Sequence, residues 1–433
     1  MAAYLHLPHQ LAGANKTLTA QCHCKSVQFT ITVPTSALPL PVHLCHCSIC
    51  RYTHGTLSCV HAPLPKGIEP SFVPPSALES SVTGYIHSAQ ATSERYFCST
   101  CGCHIGDRSL KPDPDTGRPH WCVATSVFTV HDEDTFQIRS HIFSAPETEP
   151  NLATWLPTIN SRPIHHWNPP PPPPPQNADR DRDDKPPSAV ATPPPAQAAG
   201  APDPDHHLLL PAQCHCGGVR FAIAAPSETE AADPLAARFL RRAGSALKRV
   251  ACLCLCRDCR LVSGAHAVAW TFVPRSRIRP PTLLPPSPGG WGGGVSGSGG
   301  DEGGGGGGGG GGGNSSATTL RTYRSSDKVM RAFCGVCGAT VFYAFDGDER
   351  TAGAGGNGSG EGDWVVDVAV GLLRDPRGTV AAEDWLAWRT GRLAGIKSGL
   401  DYDKGFAEGL AEGLKNWGLK THGEITTFHI PQD

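Results

Sequence analysis

Apolar positions along this chain come in short runs. Residues 27–33, 121–130, 219–224, 267–273 and 364–370 are rich in β-branched and aromatic side chains and are bounded by Gly, Pro or Ser, a pattern that predicts strands. A helical period is scarce. It occurs in 405–419, where Phe406, Leu410, Leu414 and Trp417 recur at three- and four-residue spacing and make one apolar stripe. The expectation there is a helix laid on the second half of the chain, in preference to a partner-binding helix.

Between these runs the composition changes. A proline run at 169–175, a mixed-charge stretch at 179–185 and an Ala/Pro segment ending near Asp205 cannot bury enough apolar surface to fold. They predict an extended, disordered linker over 167–207. A second tract, 280–316, holds the unbroken glycine run 303–313 and reads as a loop excursion, and a smaller Gly-rich insert spans 352–362. With 433 residues against about 100 to 200 per domain, the expected organisation is a domain over 17–166, the linker 167–207, and a domain over 208–433. The second domain carries the 280–316 insertion and the C-terminal helix.

Hydrophobic content of 39% suffices for packed cores, although 50 Gly and 41 Pro leave part of the chain outside them. A formal charge of −2 without a long basic block excludes a dedicated nucleic-acid surface. Residues 1–11 lack the basic and apolar regions of a signal peptide, and no stretch approaches the ~18 apolar residues of a membrane span. The expectation is an intracellular protein of a reducing compartment, cytoplasmic or nuclear, with small-molecule partners and no membrane. No protein partner of the linker can be named from the sequence.

The chemistry is carried by cysteine, and fourteen of the eighteen cysteines follow one grammar used twice. Residues 21–29 (QCHCKSVQF) align with 213–221 (QCHCGGVRF), 50–55 (CRYTHG) with 259–264 (CRLVSG), and 95–102 (RYFCSTCG) with 331–338 (RAFCGVCG), which reads as a tandem duplication. Repeated C-x-C and C-x-x-C pairs favour a soft tetrahedral ion over a disulfide framework, because short spacers let two sulfurs converge from one turn. Seven thiolates per half divide into four and three. Cys22, Cys24, Cys98 and Cys101, and likewise Cys214, Cys216, Cys334 and Cys337, form a closed structural set, since two distant hairpin-like pairs staple sheets without doing chemistry. Cys45, Cys47 and Cys50, and likewise Cys254, Cys256 and Cys259, form a compact triplet whose fourth position goes to water, substrate or another side chain. Filled by His46, His54, Cys59, Cys103 or Cys122, it would be inert. Left open, it is the catalytic candidate, where a thiol binds as thiolate beside a carbonyl carbon.

The order C-H-C-x-x-V-x-F, C-H-C-x-x-C-R-x-x-x-G, R-x-F-C-x-x-C-G resembles the glutathione-dependent formaldehyde-activating enzyme family, whose domain also occurs in centromere protein V. The resemblance implies an all-β, β-rich fold of two tandem Mss4-like zinc-binding domains. It also implies two Zn2+ per domain, up to four per chain, on the structural and catalytic sets just given. The implied activity is that of a carbon–sulfur lyase with glutathione as co-substrate, acting on a thiol–aldehyde adduct such as S-hydroxymethylglutathione. The alternative is a non-enzymatic zinc scaffold or protein-interaction module. Arg51, with Arg260 in the second half, is a candidate for a glutathione carboxylate, and His46 for shaping the pocket. Leu255 stands where the first half has His46, Cys252 precedes the second triplet, and residues 141–143 (HIF) have no clear match near 385–392. The first triplet is therefore the better candidate for chemistry.

Overall fold

The computed structural model describes residues 14–145, 149–170, 208–285, 318–347 and 363–430. The linker from 171 to 207, the tract 286–317 and the insert 352–362 lie outside the described residues.

Alternation sets the strands. In Gln28–Pro34 the side chains of Phe29, Ile31 and Val33 are buried, and this strand pairs antiparallel with Asn15–Gln21 and Ser71–Phe72 in a small sheet. A larger sheet places Phe136–Ile142, Leu40–Cys45, Cys59–Pro63, Pro119–Ala124, His104–Pro112 and Ser93–Cys98 side by side in that order. All neighbours in this run are antiparallel except the first pair. The second half has the same order: Leu386–Trp388 lies parallel to Ala246–Cys254, followed by Val268–Pro274, Val365–Ala369, Thr340–Phe345 and Val329–Cys334. The β-rich class matches the expectation, and four of the five predicted strands are present within one residue at each end; the fifth, 121–130, is a strand only over Pro119–Ala124 and continues as a 3-10 turn over Thr125–Val127. Short helices are commoner than the apolar period suggested, because seven residues are too few to display it.

Two of those short helices carry the triplets and join the halves. Ser48–His54 begins on Cys47 and Arg257–Ser263 on Cys256; each ends at a left-handed glycine, Gly55 (φ 71°) and Gly264 (φ 72°). A Cβ on Gly55 would sit 2.0 Å from the carbonyl oxygen of Thr340, and one on Gly264 2.2 Å from that of His104, so each helix end abuts the other half. Beside them, the His23 amide donates to the Leu261 carbonyl (3.1 Å) and the His215 amide to that of Tyr52 (3.0 Å). The rings of His23 and His215 bond the hydroxyls of Tyr323 and Tyr85, both at 2.8 Å. One contiguous buried cluster runs from Leu18 to Ile430 through both halves.

The C-terminal helix, Lys404–His422, starts on Asp403, which accepts from the Phe406 amide (2.9 Å), and buries Phe406, Leu410, Leu414 and Trp417 as the stripe predicts. Its partner differs from the expectation. Besides touching Thr390 through Gly418, it straps the first half: Trp417 meets Trp155 at 5.4 Å between ring centroids, and Gly409 and Gly413 lie against the carbonyls of Thr158 and Trp155. Glycines at 405, 409 and 413 form a smooth edge that lets segment 155–160 approach the helix backbone. Where this helix begins, Asp403 lies 2.9 Å from His131 and 3.5 Å from His266, which also bonds Ser126 Oγ at 2.9 Å.

Gly413→Ala tests the strap. Alanine favours an exposed helix by about 1 kcal/mol, but its Cβ would lie 2.0 Å from the Trp155 carbonyl oxygen. Overpacking of that kind costs about 1–3 kcal/mol, so a lower melting temperature of the full chain is expected. Burial, and then the neighbouring His131, hold the His266 imidazole at about 4. The folded chain therefore keeps this ring neutral while the unfolded chain takes up a proton below about 6.5. Stability should fall as pH drops from 6.5 towards 4, by up to about 1.4 kcal/mol per pH unit for this residue. Chemical denaturation across that window should show a shallower decline for His266→Gln.

Candidate metal centres

The two closed sets come together as the spacing predicts. The four sulfurs of Cys22, Cys24, Cys98 and Cys101 lie within 4.8 Å of one another, and so do those of Cys214, Cys216, Cys334 and Cys337. Each cysteine pair is a tight backbone loop. In the first set the Val27 amide donates to Cys22 Sγ (3.4 Å) and the Gly102 amide to the Cys98 carbonyl (3.0 Å). In the second set Val219 donates to Cys214 Sγ (3.3 Å) and Gly338 to the Cys334 carbonyl (2.9 Å). Adjacent sulfurs are 3.5 Å apart for Cys22–Cys24 and Cys24–Cys98, and 3.4 Å for Cys216–Cys334. Cys101, followed by its neighbours in the set, holds Cys24 far below the thiol range while Cys22 and Cys101 are themselves raised, and Cys214 does the same for Cys334 while Cys214 and Cys337 are raised.

The triplets form at the start of the two short helices. Cys47 and Cys256 accept from the amides of Cys50 and Cys259, at 3.4 and 3.3 Å. Hydrogen bonds from Cys45 and then Cys47 and Cys59 lower Cys50, and hydrogen bonds from Cys254 and Cys256 lower Cys259, against the effect of burial. An arginine from a strand four along in the sheet order adds to each: Arg95 Nη2 lies 3.8 Å from Cys50 Sγ and Arg331 Nη1 lies 3.5 Å from Cys259 Sγ. These two arginines were not singled out in the sequence. Each opens the R-x-F-C block, and the strand alternation that buries Phe97 and Phe333 puts Arg95 and Arg331 on the same face as those rings.

The surroundings of the two triplets differ. In the first half Cys59 lies opposite Cys45 on the neighbouring strand, and Cys45, Cys50 and Cys59 sulfurs are all within 4.8 Å of one another. In the second half Val268 occupies that place opposite Cys254. The second triplet instead faces a cavity of about 220 Å3 lined by Cys254, Cys256, Cys259, Arg331, Tyr343 and Asp367.

Other expected positions fall as follows. Arg51 is 7% exposed and lies over the Tyr52 ring, with Arg374 on the same ring, while Arg260 lies over Tyr402 and donates to the Ser126 carbonyl. Both arginines clamp the junction of the halves. The helix turns about 100° per residue, so the position after Cys50 or Cys259 faces away from the sulfurs. His46 is buried and its Nε2 bonds His141 Nδ1 at 2.9 Å, with His141 Nε2 at 2.9 Å from the Leu156 carbonyl. Cys103 is buried behind the first closed set, and Cys122 lies across from Asp107. The second-half match for Ile142, which pairs with Cys45, is Ala394, which bridges to Cys254; residues 386–388 match the start of the Phe136–Ile142 strand.

Loss of a closed-set ligand should unfold where loss of a triplet ligand should not. Cys98→Ser is expected to release one ion and abolish the cooperative thermal transition of the full chain, and Cys256→Ser to release one ion with that transition retained. Equal structural loss in both would reject this division.

No curated protein and no solved structure matches this chain. Its residues 17–145 match the model of the glutathione-dependent formaldehyde-activating enzyme family. The match supports a glutathione-related, formaldehyde-activating function, and the cysteine clusters provide ligand sets for metal ions. Both first-half cysteine sets fall inside the matched span, so it is over this first part of the chain that the protein is similar to the glutathione-dependent formaldehyde-activating enzyme family.

Proposed function

We propose that this chain is a zinc-dependent carbon–sulfur lyase of small thiol adducts such as S-hydroxymethylglutathione, and that the reaction takes place at Cys254, Cys256 and Cys259. The carrying observation is that these three sulfurs converge within 4.8 Å and face a cavity of about 220 Å3, with Val268 where the first triplet has Cys59. This reverses the order of preference drawn from the sequence: the extra thiol beside Cys45 and Cys50 fills space that a substrate sulfur would need.

Three clustered thiols suit a borderline-soft divalent ion, and Cys254, Cys256 and Cys259 would hold it. When bound, such an ion offers a fourth position at which a substrate sulfur is stabilised as thiolate. The remaining roles belong to the chain. Arg331, beside Cys259, offsets the negative charge of the three sulfurs. Trp270 and Phe272 wall the cavity and limit water. Asp367, on the cavity wall, takes the hydroxyl proton of the adduct. As that proton leaves, the C–O bond becomes C=O, the C–S bond breaks with its electron pair on sulfur, and formaldehyde and the thiolate result. The reverse sequence joins them.

The test is the exchange rate between glutathione plus formaldehyde and their adduct, measured by NMR with the zinc-loaded full chain. Acceleration over the uncatalysed rate is expected, with a loss of about 100-fold or more in Cys256→Ser, given that disturbing even outer partners of a metal ligand costs 10–100-fold. No acceleration by the wild-type chain would favour a zinc scaffold. Acceleration that survives Cys256→Ser but not Cys47→Ser would move the reaction to the first triplet.

A further inference from the structure

One group of side chains beside the first triplet has no counterpart at the matching described positions of the second half. A ring nitrogen of His54, a ring nitrogen of His61 and the sulfur of Cys59 lie within 4.8 Å of one another. All three residues are buried, at 0%, 3% and 1% exposure. Local structure explains the convergence: His54 follows Cys50 by one helical turn and shares its face, and Cys59 and His61 are two apart on one strand and share its face.

The hydrogen bonds of the two rings fix what they present. His54 Nδ1 lies 2.9 Å from the Cys50 carbonyl oxygen, and His61 Nδ1 lies 3.0 Å from Asp107 Oδ2. A carbonyl and a carboxylate oxygen only accept, so each Nδ1 carries the proton and each Nε2 holds a lone pair. Both Nε2 atoms are buried and have no hydrogen-bond partner. An unsatisfied buried polar atom costs about 1–3 kcal/mol, and this pocket holds two beside a thiol. A metal ion satisfies all three. Support of an imidazole through Nδ1 by a carboxylate or carbonyl is also the usual outer arrangement of a histidine that ligates through Nε2. In the second half the corresponding positions are Ser263, Val268 and Trp270, which supply no such ligand set.

We propose that His54, Cys59 and His61 hold a further divalent ion of the zinc class, and that Cys59 bridges it to the ion on Cys45, Cys47 and Cys50. Cys59 is placed to bridge because its sulfur is also within 4.8 Å of those of Cys45 and Cys50. On binding, the Cys59 thiol gives its proton to solvent and the thiolate shares its lone pairs between two ions. The first half thereby contains a two-metal centre of mixed imidazole and thiolate ligands, whereas the second contains a single-metal centre. This inference does not depend on the lyase reading, and its tests read metal rather than turnover.

Zinc per chain is measured on the full-length protein after gel filtration, for wild type, His54→Gln and His61→Gln. Wild type should hold one ion more than its four thiolate clusters account for, and each variant should lose one ion per chain. Equal zinc in all three would overturn the proposal. Because a variant can fail to fold, wild-type protein is also titrated with Co2+ and followed by electron paramagnetic resonance. Addition of the last equivalent should diminish the signal per cobalt through coupling across the shared sulfur. A signal that grows in proportion to cobalt to the end of the titration would equally overturn it.

Discussion

Crowded sulfur is the constraint on which this structure depends. Thiolates 3.5 Å apart, as in the closed sets, repel by about 1 kcal/mol in a water-like medium and about 5 kcal/mol at an effective dielectric of 20. Each set contains more than one such pair, and the chain brings a guanidinium to hydrogen-bonding distance of one sulfur in each triplet, through Arg95 and Arg331. Cations from outside the chain are the natural remedy, and bound there they would also tie together segments as distant as Cys24 and Cys98, whose sulfurs are 3.5 Å apart. The junction of the halves rests on the same loops. His23 and His215 sit between the cysteines of the closed sets and reach across to Tyr323 and Tyr85. A closed set that loses its ion therefore loosens the other half as well.

On this shared strand order the two triplets differ in their surrounding side chains more than in backbone pairing. A slip of one residue in a strand would send its buried face to solvent, so the registers are locked: Cys45 lies opposite Cys59 as Cys254 lies opposite Val268, and Arg95 opposite Asp107 as Arg331 opposite Tyr343. Substitutions at locked positions change chemistry without moving the neighbours. The first half has gathered imidazole, thiol and carboxylate around its sulfurs, and the second has gathered aromatic walls and a cavity.

What the sequence disclosed follows the range of the interactions concerned. Strands and cysteine sets are local patterns of period and spacing, and they were legible. The position of Arg95 and Arg331 beside sulfurs 45 and 72 residues away was not, because it depends on which strands are neighbours. Arg51 and Arg260 drew notice by adjacency in the chain, yet both serve the junction of the halves: Arg51 lies over its neighbour Tyr52, whose ring Arg374 of the second half also covers, and Arg260 reaches the Ser126 carbonyl of the first half and lies over Tyr402. The C-terminal stripe was legible and its partner was not, although glycines at 405, 409 and 413 marked a close approach that the hydrophobic period does not register. Likewise, Gly55 and Gly264 read as helix stops, while their second duty, contact with the opposite half, needed the fold.

Charge explains why these two buried centres need different ligands. In the second half, three thiolates and the Asp367 carboxylate would stand against one divalent ion and Arg331, one negative charge in all before substrate arrives. A substrate thiolate then adds one negative charge in a partly enclosed cavity, which favours its departure and suits a site where a thiol must come and go. In the first half a fourth thiolate, Cys59, and the Asp107 carboxylate would leave one divalent ion and Arg95 two charges short. Burying that imbalance is costly. A second divalent ion on His54, Cys59 and His61 removes it, because the two imidazoles add ligand atoms without adding charge. With that second ion the count in the first half would close to zero, since two divalent ions and Arg95 offset four thiolates and Asp107.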